Sequence, residues 1–232
     1  AAIEAAGRAR AVRLIPELCE LLLHTRLRHS ASGALQEMGT GAAGHLAGLL
    51  RDEQLPGPAR RAAIRLLGSS GEAASMDRLL DLLAEGDFDT SHNALRALTR
   101  LVKKVKPPLD GAQGTKVHET LDRELGTLYR DLLFLDRGSW ADLREGEWPD
   151  DLLGAALAQR ADDRMERVFR MLALAWRPDD SYAPEDMGAA FGSVRSPLKS
   201  VRSSSIEFLD NVLPGKYAER LMPLLESAGT KR

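Results

Sequence analysis

The sequence predicts an all-α protein, a right-handed α-solenoid of stacked antiparallel helix pairs. Three observations carry that expectation. Hydrophobic residues make up 44% of the 232 residues but aromatics only 5%, so the core is built from Leu, Ala, Val and Ile, with Leu and Ala favouring close-packed helices. A short pattern recurs: Ala34-Leu35-Gln36-Glu37-Met38-Gly39 aligns with Ala63-Ile64-Arg65-Leu66-Leu67-Gly68 and with Ala94-Leu95-Arg96-Ala97-Leu98-Thr99, at intervals of 29 residues (34 to 63) and 31 residues (63 to 94). That period is one helix pair. No alternating run of β-branched residues argues for strands.

The elements follow in chain order. Ala2 to Arg10 reads as a first helix, and Leu14, Leu18, Leu21 and Leu22 as the apolar stripe of its partner. Ala59, Ala62, Ala63, Leu66 and Leu67 mark the buried face of another first helix, with Pro58 in its opening turn, where no needed amide is lost. Gly39 and Gly68 stand where a left-handed residue closes a helix, and second helices follow over His45 to Leu50 and Met76 to Leu83. After Pro107-Pro108 the regularity weakens. Val117 to Leu135 reads as one longer helix, and Asp131 to Asp151 carries seven acids against two bases in a stretch with Trp140, Trp148 and Pro149. Helical patterning returns at Leu152 to Leu157, Met165 to Trp176, Met187 to Phe191, Leu198 to Leu213 and Tyr217 to Leu225, punctuated by Pro178, Pro184, Pro197 and Pro214. The closing Leu221-Met222-Pro223-Leu224-Leu225 echoes the opening Leu14-Ile15-Pro16, as if both were second helices. The expected organisation is regular repeats over 1–106, a long helix and acidic connector over 107–151, and divergent helix pairs over 152–232.

The repeated units, best over residues 28 to 103, resemble HEAT repeats of the short bacterial type found in phycobilisome-lyase-like proteins, with Ala-Leu in the first helix and Leu-Leu in the second. That resemblance implies architecture, not activity. A narrower one covers 167 to 226. Arg167-Val168-Phe169-Arg170-Met171-Leu172, the run from Val201 to Pro214, and Leu221 to Leu225 resemble the soluble HEAT segment of bacterial nucleotide-translocase-like transporters. It implies a cytoplasmic interaction part of a larger membrane protein, and the opening Ala1-Ala2-Ile3 without an initiator Met fits a fragment.

Charge and cysteine count narrow the function classes. A net charge of −2 does not favour phosphate neutralisation over the whole surface, so nucleic acid is not the expected partner. Cys19 is the one cysteine, which rules out an internal disulfide or CxxC pair and fits a reducing, cytoplasmic setting. No apolar run reaches membrane-spanning length, so no direct membrane insertion is expected.

Several candidate sites have plainer readings. Gly39-Thr40-Gly41-Ala42-Ala43-Gly44 matches GxGxxG but follows a helix rather than a strand, so the turn of a helix pair accounts for it and no cofactor is implied. Cys19 sits on an apolar face, and His24, His29, His45, His92 and His118 form no metal-binding spacing. Asp162-Asp163 and Asp179-Asp180 read as surface and capping carboxylates. Ser203-Ser204-Ser205 lacks the strand-to-helix elbow of a hydrolase nucleophile. Trp140, Trp148 and Trp176 are core fillers before they are partner anchors. Arg100, Lys103, Lys104 and Lys106 give a basic helix end that the helix dipole also favours.

The expected function is therefore a non-catalytic scaffold without cofactor, metal or catalytic residues. Its partner would be a protein or a neighbouring domain of the same polypeptide, held along a concave surface lined by the second helices. Two alternatives stand beside it. Some DNA glycosylases resemble HEAT-like stacks with a basic concave face, and that reading requires Arg60, Arg61, Arg65, Arg78, Arg96 and Arg100 to converge on one surface. The other is an enzyme similar to the HEAT-like bilin lyases, for which no catalytic residue carries over.

Overall fold

The computed structural model describes residues 1–104, 109, 111–135, 152–175 and 184–226, and within them every regular element is a helix. In chain order these are α1 (Ala2–Arg8), α2 (Ile15–Leu21), α3 (Arg28–Met38), α4 (Ala43–Leu49), α5 (Gly57–Ser70), α6 (Ala74–Glu85), α7 (Phe88–Lys104) and α8 (Gly111–Phe134). Then come α9 (Leu152–Ala175), α10 (Pro184–Val194), α11 (Lys199–Val212) and α12 (Gly215–Leu225). Short 3-10 turns, Val12–Leu14 and Gly39–Ala42, precede α2 and α4. Two compact units divide within α8, one over Ala1–Val117 and the other over His118–Arg232.

The first unit is two rows of helices. α1, α3, α5 and α7 pack in succession, each on the next, and α2, α4 and α6 form a second row alongside them. The N-terminal turns of α8 extend that second row: Lys116 Nζ lies 2.8 Å from Asp81 Oδ1, and Gln113 Nε2 donates to Asp77 Oδ1 at 2.8 Å, both carboxylates being on α6. The apolar stripe of each helix faces between the rows. Ile64 and Leu67 of α5, Leu79 and Leu80 of α6, and Leu95, Ala97 and Leu98 of α7 are buried together. Each large side chain so placed contributes about 1.5–3 kcal/mol relative to solvent.

Two local expectations need correcting. Leu14 is in the 3-10 turn and 43% exposed; the buried stripe of α2 is Ile15, Leu18, Cys19 and Leu22. Gly39 does close α3 with φ +65°, but Gly68 lies inside α5, and Gly71 takes the left-handed cap with φ +75°. Gly68 has a different cause. A β-carbon there would lie 2.7 Å from both Cα and Cβ of Ala97, so the glycine lets α5 and α7 cross at close range. Gly7 does the same for α1 against Ala34 of α3, also at 2.7 Å. Gly33, by contrast, has nothing within 4 Å of a β-carbon. Urea unfolding followed by circular dichroism is expected to separate them. Gly33→Ala raises stability by about 0.4–1 kcal/mol, and Gly68→Ala lowers it by about 1–3 kcal/mol through overpacking.

In the second unit α9 packs on α10, α10 on α11, and α11 on α12. The two segments expected over Leu152 to Leu157 and Met165 to Trp176 are one continuous helix as far as Ala175. The polar Asp162-Asp163-Arg164 stretch is absorbed by side-chain pairing instead of breaking the helix: Asp162 Oδ2 meets Arg195 Nη2 at 2.9 Å, and Asp163 accepts from Gln159 at 2.9 Å. The two Leu-Pro segments also differ. Pro16 occupies the first turn of α2, whereas Pro223 sits inside α12, where its missing amide removes one backbone bond. Trp140, Trp148, Trp176, Asp179-Asp180 and Lys106, singled out in the sequence, lie outside the described residues.

A buried ionic cluster holds α8 to α9. Glu124 and Asp131, seven residues apart, share a face of α8; Arg164 and Arg167, three apart, share one of α9. Arg164 Nη1 donates to Glu124 Oε1 at 2.9 Å and its Nε to Asp131 Oδ2 at 2.8 Å. Arg167 Nε donates to the same Glu124 Oε1 at 3.0 Å. Bidentate guanidinium–carboxylate geometry offsets the large cost of taking these charges out of water.

Candidate binding groove

The first-row helices carry the most one-sided charge in the first unit. On α5, Arg61 and Arg65 are four residues apart, hence on one face and about 6 Å apart along the axis. Arg96 and Arg100 repeat that spacing on α7. Arg65 and Arg96 occupy equivalent places in the repeat, so the packing of α5 on α7 sets the two arginine pairs on adjoining helices. Together with Arg28 of α3 they line a groove of about 420 Å³, whose other lining residues are Pro58, Ala62, Ile64, Asn93 and Ala97.

Among the described residues lining this groove none is acidic. Arg61, Arg65, Arg96 and Arg100 are all exposed, with their charges turned to solvent. Arg28 is anchored: its Nε donates to the Leu22 carbonyl at 2.7 Å, satisfying an acceptor left at the end of α2. The floor is small and apolar, with Ala62, Ile64 and Ala97 almost fully buried. A partner's main chain can therefore approach α5 and α7 closely while guanidinium groups reach it from three helices.

A larger concavity, about 710 Å³, adjoins it and shares Arg61. Its lining carries both signs of charge: Arg51, Arg60, the shared Arg61 and Arg78 occur with Glu53, Asp81, Glu85, Asp87 and Asp89. Two of these arginines serve the backbone. Arg60 Nη2 donates to the carbonyls of Asp52 at 2.9 Å and Glu53 at 3.0 Å, and Arg78 Nη2 donates to that of Leu50 at 2.6 Å. Asp87 caps α7, accepting the Thr90 amide at 2.8 Å and the Thr90 hydroxyl at 3.1 Å. The amide bond is the main cause holding its carboxyl below the usual range, with Arg60 adding a smaller pull. Asp87→Ala is expected to cost about 0.5–2 kcal/mol near neutral pH. Because the folded-state pKa is lowered, that contribution is present above the ordinary carboxylate range and fades as pH falls through the folded value. Urea midpoints of both proteins at neutral and acidic pH check the sign.

Of the six arginines singled out in the sequence, four thus converge, while Arg60 and Arg78 line the adjoining concavity. Arg28 was missed. Its repeat equivalents are not arginine, and only the packing of α3 on α5 brings it to the groove. The groove's arginines lie on first helices, α3, α5 and α7.

The remaining candidates fall elsewhere. Cys19 is buried among apolar neighbours, and burial pushes its thiol up to about 11, away from nucleophile chemistry. His118 Nδ1 lies 2.9 Å from the Tyr217 hydroxyl, with the rings stacked at 5.8 Å. Ser205 donates to the Ala190 carbonyl at 3.0 Å, while Ser203 and Ser204 are exposed. Gly39 to Ala42 forms the turn between α3 and the seven-residue α4, and Ala43 and Gly44 open α4. Among the described residues no three His, Cys, Asp or Glu side chains gather as a metal site, and no helix is long and apolar enough to cross a membrane.

No family model matches the chain, and neither a curated protein nor a solved structure matches it.

Proposed function

We propose that this chain is a non-catalytic, HEAT-like interaction scaffold, a right-handed stack of antiparallel helix pairs, whose partner is another protein or a neighbouring domain of the same polypeptide. The observation that carries the reading is the groove of five arginines, with no acid among its described lining residues, across three successive first-row helices. Structural ion pairs normally neutralise such charge, as the buried cluster of Glu124, Asp131, Arg164 and Arg167 does. Four exposed guanidinium groups held on rigid helices are instead preorganised for an external anion. The two-row packing of α1 to α7 and the recurring Ala-Leu register support the repeat architecture. On this reading the chain works in the cytoplasm, as part of a larger, transporter-like protein.

One observation favours a second reading, nucleic-acid binding: Arg61, Arg65, Arg96 and Arg100 do share one surface. Recovery of partners from nuclease-treated extract separates the two. The scaffold reading predicts a protein retained by the parent chain and released when Arg65 and Arg96 are both changed to Glu. Recovery of nucleic acid alone, before nuclease and at low salt, would put the second reading first.

A further inference from the structure

We propose that the arginine groove on α3, α5 and α7 is a docking site for an acidic protein segment in which Asp or Glu side chains flank small apolar ones. The inference deepens the scaffold reading and rests on it. Charge fixes the sign of the ligand: Arg28, Arg61, Arg65, Arg96 and Arg100 surround a concavity with no lining carboxylate among the described residues. Guanidinium forks bind carboxylates in bidentate fashion, and two pairs at helical spacing on adjoining helices suit anions presented in series rather than one isolated ion.

The floor then distinguishes among anionic macromolecules. Ala62, Ile64 and Ala97 offer neither an aromatic platform for a base nor a polar edge partner, and among the described residues no aromatic ring lines the groove. A space of about 420 Å³ accommodates a peptide main chain with small side chains lying against alanines. The chain's net charge of −2, and the acids around the adjoining concavity, do not favour tracking a phosphate backbone. An acidic segment with apolar side chains matches both the rim and the floor.

The test is fluorescence anisotropy with the full chain and four labelled probes of equal length: a peptide alternating Glu or Asp with Ala, the same peptide with Lys for each acid, a poly-Glu peptide, and a single-stranded oligonucleotide. The acidic–apolar peptide is expected to bind most tightly, with affinity falling as salt rises. The double variant Arg65→Glu, Arg96→Glu should weaken it by about a hundredfold, from roughly tenfold for each charge-assisted hydrogen-bonding arginine removed. Arg65→Lys with Arg96→Lys should recover part of that loss, and Arg51→Glu, in the adjoining concavity, should leave binding unchanged. Urea unfolding of each variant establishes that it is folded; should the Glu pair not fold, Arg65→Gln with Arg96→Gln replaces it. Failure of the acidic–apolar peptide to bind, or binding indifferent to Arg65 and Arg96, overturns the proposal. If the extract still yields a protein partner in that case, the scaffold reading survives it. Preference for the oligonucleotide overturns both.

Discussion

Glu124→Ala is expected to destabilise the second unit by about 3–5 kcal/mol, because it removes the shared acceptor of two buried arginines. Arg167 is only 3% exposed, so its guanidinium cannot turn to water without opening the packing of α8 against α9. Arg164 keeps Asp131 as a partner, which puts the heavier loss on Arg167. Glu166→Ala is the matched control. Glu166 pairs with Arg170 one turn away in a half-buried setting, and losing that pair should cost no more than about 0.5 kcal/mol. Urea unfolding followed by far-ultraviolet circular dichroism measures both. Replacing Glu124, Asp131, Arg164 and Arg167 together with apolar residues of similar volume should recover much of the single-variant loss, since the penalty lies in stranding a charge rather than in losing a net attraction.

Phe169→Ala should cost about 3–5 kcal/mol in the same unit for an unrelated reason. Phe169 is 1% exposed and packs on Phe191 with ring centroids 5.1 Å apart, and the Arg195 guanidinium lies 5.1 Å from the centre of the Phe191 ring. Truncation leaves a cavity between α9 and α10, which the helices can only partly collapse. Phe169→Leu, filling most of the volume, should lose distinctly less. Equal losses for the two variants would mean that the filled volume contributes little beside the ring contact with Phe191, which both variants lack. Salt separates this variant from Glu124→Ala only weakly, because buried pairs are poorly screened, so the cavity variant is better recognised by its partial rescue with Leu.

The all-helical class was legible because it is written in periodicity. Ala34, Ala63 and Ala94 each head a first-helix motif, and their buried neighbours Leu35, Ile64 and Leu95 fall at the same register. Helix ends were less legible, since Gly68 and Gly71 are only three residues apart and either composition fits a cap. What distinguishes them is the neighbour: Ala97 approaches Gly68, a tertiary fact no local window contains. The ionic cluster left a readable trace. Glu124 and Asp131 interrupt the apolar face of α8 formed by Val117, Leu121, Leu125, Leu128 and Leu132, a sign that something opposite must pair with them. Which arginines do so depends on how α9 packs.

The groove was half legible. Arg61 with Arg65 and Arg96 with Arg100 could be read as i, i+4 pairs, but Arg60 and Arg78 carry the same charge and differ only in having carbonyl groups to satisfy. Charge alone does not tell a backbone anchor from a ligand-binding group. Arg28 combines both roles, lining the groove while holding the end of α2.

Backbone amide shifts recorded by NMR, while the acidic–apolar peptide is titrated into the full chain, locate the bound segment on the protein residue by residue. Perturbations are expected to gather around Arg61, Arg65, Arg96 and Arg100 on α5 and α7, saturating together. Perturbations centred on α6 or on the second unit, with these four positions unmoved, would contradict docking in the arginine groove.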